Sequence, residues 1–285
     1  MPQLINYMAL NVLIRHSDSA LRNWYIARDT EGTGRWEMWQ WDLNQTFQYP
    51  GIDNNLVWLT PEIEQRGTTK INKLLTAMLA VPEYRQMYFR RLRTLADRFL
   101  APGQYETRFA QLLTYGAENN TLQVPKWDTN NWGEDYPTAA TMELNFKRGL
   151  DDRRTLFAAN TAPYGELPRS QSAAPQVVIS ELMYNPDGDT NTEYLELTNI
   201  STESVDLSGW VIDGIGLTIQ PGTVLLPEQK VVFVANDVAF RARYGGSPYV
   251  GGQYSGALAN EGETITLLQG SGMRADDVTI VGSNA

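Results

Sequence analysis

The sequence predicts a multidomain α+β chain: a mainly helical region that carries one β-hairpin, then an all-β, immunoglobulin-like sandwich. Three observations predict it. The charge divides unevenly, with 19 Lys+Arg and 19 Asp+Glu in residues 1–170 but 4 and 14 in residues 171–285, so the second part holds the whole excess behind the net charge of −10. The spacing of apolar residues changes from three-and-four to two near residue 176. Between the two patterns lies TAPYGELPRSQSAAPQ, which gathers Pro, Ser, Ala and Gln without apolar periodicity, a linker signal. The expected division is residues 1–160, a linker at 161–175, and a sandwich at 176–285, with separate cores and a small interface.

The helical elements follow from period. LINYMALNVLI at 4–14, INKLLTAMLA at 71–80, EYRQMYFRRLRTLADRFL at 83–100 and MELNFKRGLDDRRTLFAA at 142–159 repeat their apolar residues at helical spacing. In the third, Tyr84, Met87, Tyr88, Leu92, Leu95 and Phe99 form the stripe. Its Arg90, Arg91 and Arg93 read as a solvated face. The hairpin is WYIAR at 24–28 and RWEMWQW at 35–41, with DTEGTG supplying the turn and Asp42 at the end of the second strand. Trp36, Trp39 and Trp41 read as packing residues rather than as a carbohydrate platform. After the linker, QVVISELMY, EYLELTNI, VDLSGWVI, KVVFVAND and ETITLLQ are short β-branched runs separated by turn residues, as in a sandwich, with Trp210 as its buried aromatic.

Composition excludes several functions. The 285 residues contain no cysteine, which removes disulfides, thiolate metal sites and a Cys nucleophile, and one histidine, His16, which removes any multi-His metal site. No apolar run approaches the ~20 residues that span a bilayer. MPQLINYMAL lacks the basic start and small-residue cleavage site of a signal peptide. The acidic second half repels polyanions, so nucleic acid is not an expected partner.

The motif with chemistry in it is RHSDSALRNW at 15–24. His16, Asp18 and Asn23 stand as H-x-D-x-x-x-x-N, the spacing that in protein kinases puts one carboxylate beside the attacking hydroxyl and one amide oxygen on a divalent ion. A capping or turn cluster of Ser, Asp and Asn accounts for the same ten residues. The order of parts then adds weight: helix, loop, hairpin, and Asp42 returned toward Asp18 and Asn23.

With those residues in view, NYMALNVLIRHSDSALRNWYIARDTEGTGRWEMWQWDLNQTF resembles the catalytic segment of the CotH-like atypical protein kinases, in which an Asp/Asn loop leads to a strand ending in Trp-Asp. The helices to about residue 160 are similar to the C-terminal helices of that family, so residues 1–160 resemble a kinase C-lobe. The resemblance implies Asp18 as catalytic carboxylate, Asn23 and Asp42 as metal ligands, His16 as a residue that orients the loop, and ATP with Mg²⁺ or Mn²⁺ as cofactor for phosphorylation of a protein substrate. The family motif D-x-D-x-x-F-G reads DLNQTFQ here, with Asn44 and Gln48 replacing an acid and a glycine. Lys70, Lys73, Lys126, Lys147 and Lys230 all follow the loop, so none matches the phosphate-binding lysine of a kinase N-lobe. The expectation is the C-terminal portion of a longer kinase, inactive as this fragment.

VVISELMYNPDGDTNTEYLELTNISTESVDLSGWVID resembles the start of a lamin-tail domain, through EYLELTN and DLSGW. That family implies binding or scaffolding with an unknown partner, and the pairing with a CotH-like region implies an extracellular or cell-surface setting. The alternative function is a non-catalytic adhesion or scaffold protein with a degenerate kinase-like region. Asp187, Asp189, Asn191 and Glu193 could ligate calcium, but a solvated acidic turn explains them more simply.

Overall fold

The structure, a computed structural model, describes residues 1–16, 23–31, 34, 36–43, 46–47, 62–65, 68–120, 139–159 and 167–281. The first region contains α1 (Pro2–Leu13), the hairpin β1 (Trp24–Arg28) and β2 (Trp36–Gln40), a second hairpin β3 (Glu62–Gln65) and β4 (Thr68–Ile71), then α2 (Lys73–Ala80), α3 (Pro82–Phe99), α4 (Gln104–Asn120) and α5 (Ala139–Ala159). Prolines open α1 and α3, where a missing N–H leaves no helix bond unmade. Asn72 caps α2, its side chain accepting from the Leu75 N–H at 3.0 Å. Ile5, Met8, Val12 and Leu13 of α1 are buried with Tyr88, Leu92 and Leu95 of α3, and Leu75, Leu79, Leu150 and Phe157 complete one core. Each such aliphatic side chain stabilises the fold by about 1.5–3 kcal/mol through burial. Among the described residues no helix is long and apolar enough to cross a membrane.

The second region is all-β apart from one short helix and a 3₁₀ turn. Its strands are β5 (Val177–Met183), β6 (Tyr194–Asn199), β7 (Val205–Asp206), β8 (Val211–Asp213), β9 (Leu217–Thr218), β10 (Val224–Leu225), β11 (Lys230–Val234), β12 (Val250–Gln253), β13 (Gly262–Leu268) and β14 (Arg274–Val281). They form sheets of order β12-β11-β6-β5 and β14-β13-β8-β9, with β10-β7 as a third, two-stranded ladder. Leu195, Leu197, Val231 and Phe233 of one sheet share a core with Ile212, Ile265 and Leu267 of the other, and the expected Trp210 is buried there. The alternate residues Tyr194, Val232 and Val234 pack outward on Phe240 of α6 (Asp237–Tyr244). That helix was not expected. It connects β11 to β12, which pair in parallel, and a parallel pair requires a crossover that a tight turn cannot make.

The two regions keep distinct cores, but they are joined by more than the bare linker expected. β10 is buried on both faces: Val224, with Leu226 just beyond the strand, enters the helical core, and Leu225 enters the sandwich core. Gly222 adopts φ +89°, and a Cβ there would stand 2.1 Å from the Pro2 carbonyl oxygen. Only glycine allows α1 so close to this loop. Arg90 and Arg91 are also not a solvated face, being 2% and 8% exposed. The Arg90 guanidinium donates to the Arg169 carbonyl at 2.7 Å. Arg91 donates to Asn6 and to the Asp206 carboxylate of β7. Arg93 alone keeps a partly exposed place, paired with Asp97 and bonded to Ser170. Within the expected linker, Leu167 is buried in the helical core and Gln171 exchanges hydrogen bonds with the Asp206 backbone. This half of the linker is a strap along α3; residues 161–166 lie outside the described set.

Candidate functional site

The end of α1 begins the site. Arg15 turns the chain out of the helix at φ +51°, and His16 follows, fully buried. Its Nε2 lies 3.0 Å from the Asp42 carbonyl oxygen, which can only accept, so Nε2 carries the proton. Its Nδ1 lies 3.1 Å from Asn11 Oδ1. The Asn11 amide is oriented by its own donation to the Tyr7 carbonyl at 2.8 Å. His16 therefore holds the end of α1 to Asp42, two residues beyond the end of β2.

Asn23 and Asp42 flank the hairpin at its open end. β1 and β2 pair antiparallel from Trp24↔Gln40 to Arg28↔Trp36. One step beyond that ladder, the Trp41 N–H donates to the Asn23 carbonyl at 2.9 Å. Asn23 and Asp42 thus stand one residue apart across the paired strands, at φ +64° and +53°. Asn and Asp tolerate this left-handed region better than most side chains. Asp42 is exposed and Asn23 half-buried. A carboxylate and an amide oxygen are the hard donors that a Mg²⁺-class ion prefers. Asp18, the expected catalytic carboxylate, lies outside the described residues, as do Asn44 and Gln48. Among the described residues no three His, Asp or Glu side chains gather as a metal cluster.

Segment 46–47 after Asp42 is anchored from the far side. Phe47 is buried among Tyr105 and Phe146, and its N–H donates to the Ile14 carbonyl at 2.9 Å. Gly149 of α5 makes room for it, since a Cβ there would lie 2.1 Å from the Phe47 carbonyl oxygen. Nothing in the sequence pattern signalled Asn11 or Gly149, because each acts through a contact with a distant backbone.

The hairpin tryptophans are not packing residues as expected: Trp36, Trp39 and Trp41 are 57–63% exposed, and Trp24 and Met38 pack on the core instead. In the second region Asp189 accepts from the Asn191 backbone and amide, and Glu193 is buried and accepts from the Leu258 N–H. Those carboxylates hold turns.

Comparison with known families places names on the two regions. Residues 1–114 match the family model described as CotH kinase protein, and residues 170–282 match the Lamin Tail Domain. No curated protein matches the chain. In sequence order, therefore, a region similar to the CotH kinase protein family precedes one similar to the Lamin Tail Domain.

Proposed function

We propose that the CotH kinase region contributes Asp42 and Asn23, as ligands of a divalent ion, to transfer of the γ-phosphate of ATP to a protein hydroxyl. The observation that supports this reading best is the pair of hydrogen bonds, His16 Nε2 to the Asp42 carbonyl and Trp41 N–H to the Asn23 carbonyl, which fix both candidate ligands at one end of the hairpin. The bound Mg²⁺ or Mn²⁺ would supply charge neutralisation at the β- and γ-phosphate oxygens. Asp42 and Asn23 would present oxygen donors to it from backbones already set. Asp18 would accept the proton of the acceptor hydroxyl. The sandwich would bind or scaffold, and a surface or extracellular setting is part of the proposal.

A non-catalytic scaffold is the second reading. Asn44 favours it, because the family motif has an acid there and an amide attracts a divalent ion less strongly than a carboxylate does. Calorimetry with Mn²⁺–ATP separates the two. Binding by residues 1–285 that Asp42→Ala abolishes, and that Asp18→Ala spares, supports the kinase reading. Binding unchanged by Asp42→Ala favours the scaffold.

A further inference from the structure

A cavity of about 450 Å³ opens where α1, β2 and the loop before β10 meet, so both regions contribute to its wall. Three of its lining side chains carry a buried polar atom with no hydrogen-bond partner: Gln3 Oε1, Gln40 Nε2 and the Tyr7 hydroxyl. Buried polar groups in native folds are nearly always paired, so an amide acceptor, an amide donor and a hydroxyl left over around one cavity call for a ligand that answers all three. Burial raises the pKa of the Tyr7 hydroxyl, against the influence of the Asn11 side chain, so it keeps its proton and can donate.

The rest of the wall narrows the choice of ligand. Leu10, Met38 and Pro221 add apolar surface, and Trp39 lines the cavity while remaining 57% exposed. Tyr25, also exposed, stands directly opposite Trp39 across the hairpin. Among the lining residues Glu37 alone is charged, so nothing in the wall attracts a phosphate or a carboxylate. Gln220 is held by donating to the Gly251 carbonyl at 2.7 Å, which fixes the wall on the sandwich side. The matching ligand is neutral, rich in groups that both donate and accept, and flat enough on an apolar face to lie against an indole. A pyranose ring has that chemistry. When its substituents are equatorial, both of its faces present C–H bonds and its hydroxyls point outward, towards the amides and the Glu37 carboxylate.

We propose that this cavity binds one ring of a neutral glycan with equatorial substituents, a β-1,4-linked glucan being the simplest case. Trp39 is its stacking platform, and Gln3, Tyr7, Gln40 and Glu37 are its hydrogen-bonding partners. The site uses neither Asn23 nor Asp42 and stands whether or not the chain binds ATP.

The test is calorimetry of residues 1–285 with cellohexaose, beside β-1,4-mannohexaose, whose axial 2-hydroxyl interrupts one apolar face, and beside a neutral Gly/Ser/Thr peptide. The expected result is saturable binding of cellohexaose, at least tenfold weaker for mannohexaose and absent for the peptide. Trp39→Ala changes an exposed side chain, keeps the fold and should weaken cellohexaose binding at least tenfold. Trp36→Ala removes an equally exposed ring outside the cavity and should leave binding intact. Gln40→Met replaces the unpaired amide by an apolar group of similar shape, so it should hold or raise Tm without ligand and still lose at least tenfold in affinity. No binding of cellohexaose, or affinity undiminished in both Trp39→Ala and Gln40→Met, overturns the proposal. Peptide binding as tight as that of cellohexaose also overturns it, and assigns the cavity to an extended chain lying along β2.

Discussion

The Arg91 guanidinium donates to the Asp206 carboxylate at 2.9 Å, across 115 residues of sequence, with the carboxylate fully buried. The pair joins α3 of the helical region to β7 of the sandwich. Removing one partner leaves the other charged and desolvated, which costs about 3–5 kcal/mol. Asp206→Ala should destabilise the whole chain by that amount in urea unfolding. A loss below 1 kcal/mol would mean that Arg91 finds water in the variant and that the junction is looser than its burial indicates.

The same junction predicts one cooperative transition. β10 feeds two cores, so neither region can unfold without exposing residues of the other. Gly222→Ala should destabilise both regions together, because left-handed backbone costs a non-glycine residue roughly 1–2 kcal/mol and the added carbon meets the Pro2 carbonyl. Far- and near-ultraviolet circular dichroism should trace coincident curves, shifted equally by the substitution. Two separated transitions would show that the regions are independent after all.

Arg154 of α5 closes α4 onto α5 by donating to both carboxylate oxygens of Glu106, at 2.6 and 3.1 Å. These bonds hold the Glu106 carboxyl down to about 2, well below the ordinary glutamate value near 4.5. A depressed folded-state pKa contributes stability above the unfolded value and loses it as pH falls through the folded one. The contribution is therefore complete above about pH 4.5 and is lost progressively towards pH 2. Glu106→Gln should be less stable than the wild type at pH 7 and should show a shallower fall in stability over that acid window. The group is partly exposed, so the pH at which the two curves converge is the informative reading rather than the size of the difference.

These contacts also show what could be read from sequence. The buried stripe of α3 was legible because Met87, Tyr88, Leu92 and Leu95 repeat at helical spacing and spacing is local. Arg90 and Arg91 were misread because a charged run signals solvent unless a partner is known, and their partners, the Arg169 carbonyl and Asp206, come from the other end of the chain. α4 escaped because its QYETRFAQLLTYG leaves Leu112 and Tyr115 exposed, so no clean apolar stripe marks it. α6 escaped because eight residues give only two turns of periodicity. In the site, the hairpin was readable from its strand-like runs and turn residues, and it returned Asp42 toward Asn23 as expected, whereas the expected approach to Asp18 lies outside the described residues. The His16 bond to the Asp42 carbonyl was not readable, since it depends on how far the loop returns to α1.

The backbone of Asp42 makes a sharp test of its role possible. Its φ of +53° suits glycine, and the His16 hydrogen bond uses its carbonyl rather than its carboxylate. Asp42→Gly therefore removes the proposed metal ligand while keeping both features that position it, and the substitution should cost little stability or even raise it. Asp42→Ala deletes the same carboxylate but adds left-handed strain of about 1–2 kcal/mol. If the carboxylate binds metal, both variants should lose Mn²⁺–ATP binding equally although only Asp42→Ala loses stability. If Asp42 serves the fold alone, Asp42→Gly should bind as the wild type does and only Asp42→Ala should weaken. Calorimetry and urea unfolding on the two variants distinguish these outcomes, because affinity follows the carboxylate in the first case and the backbone in the second.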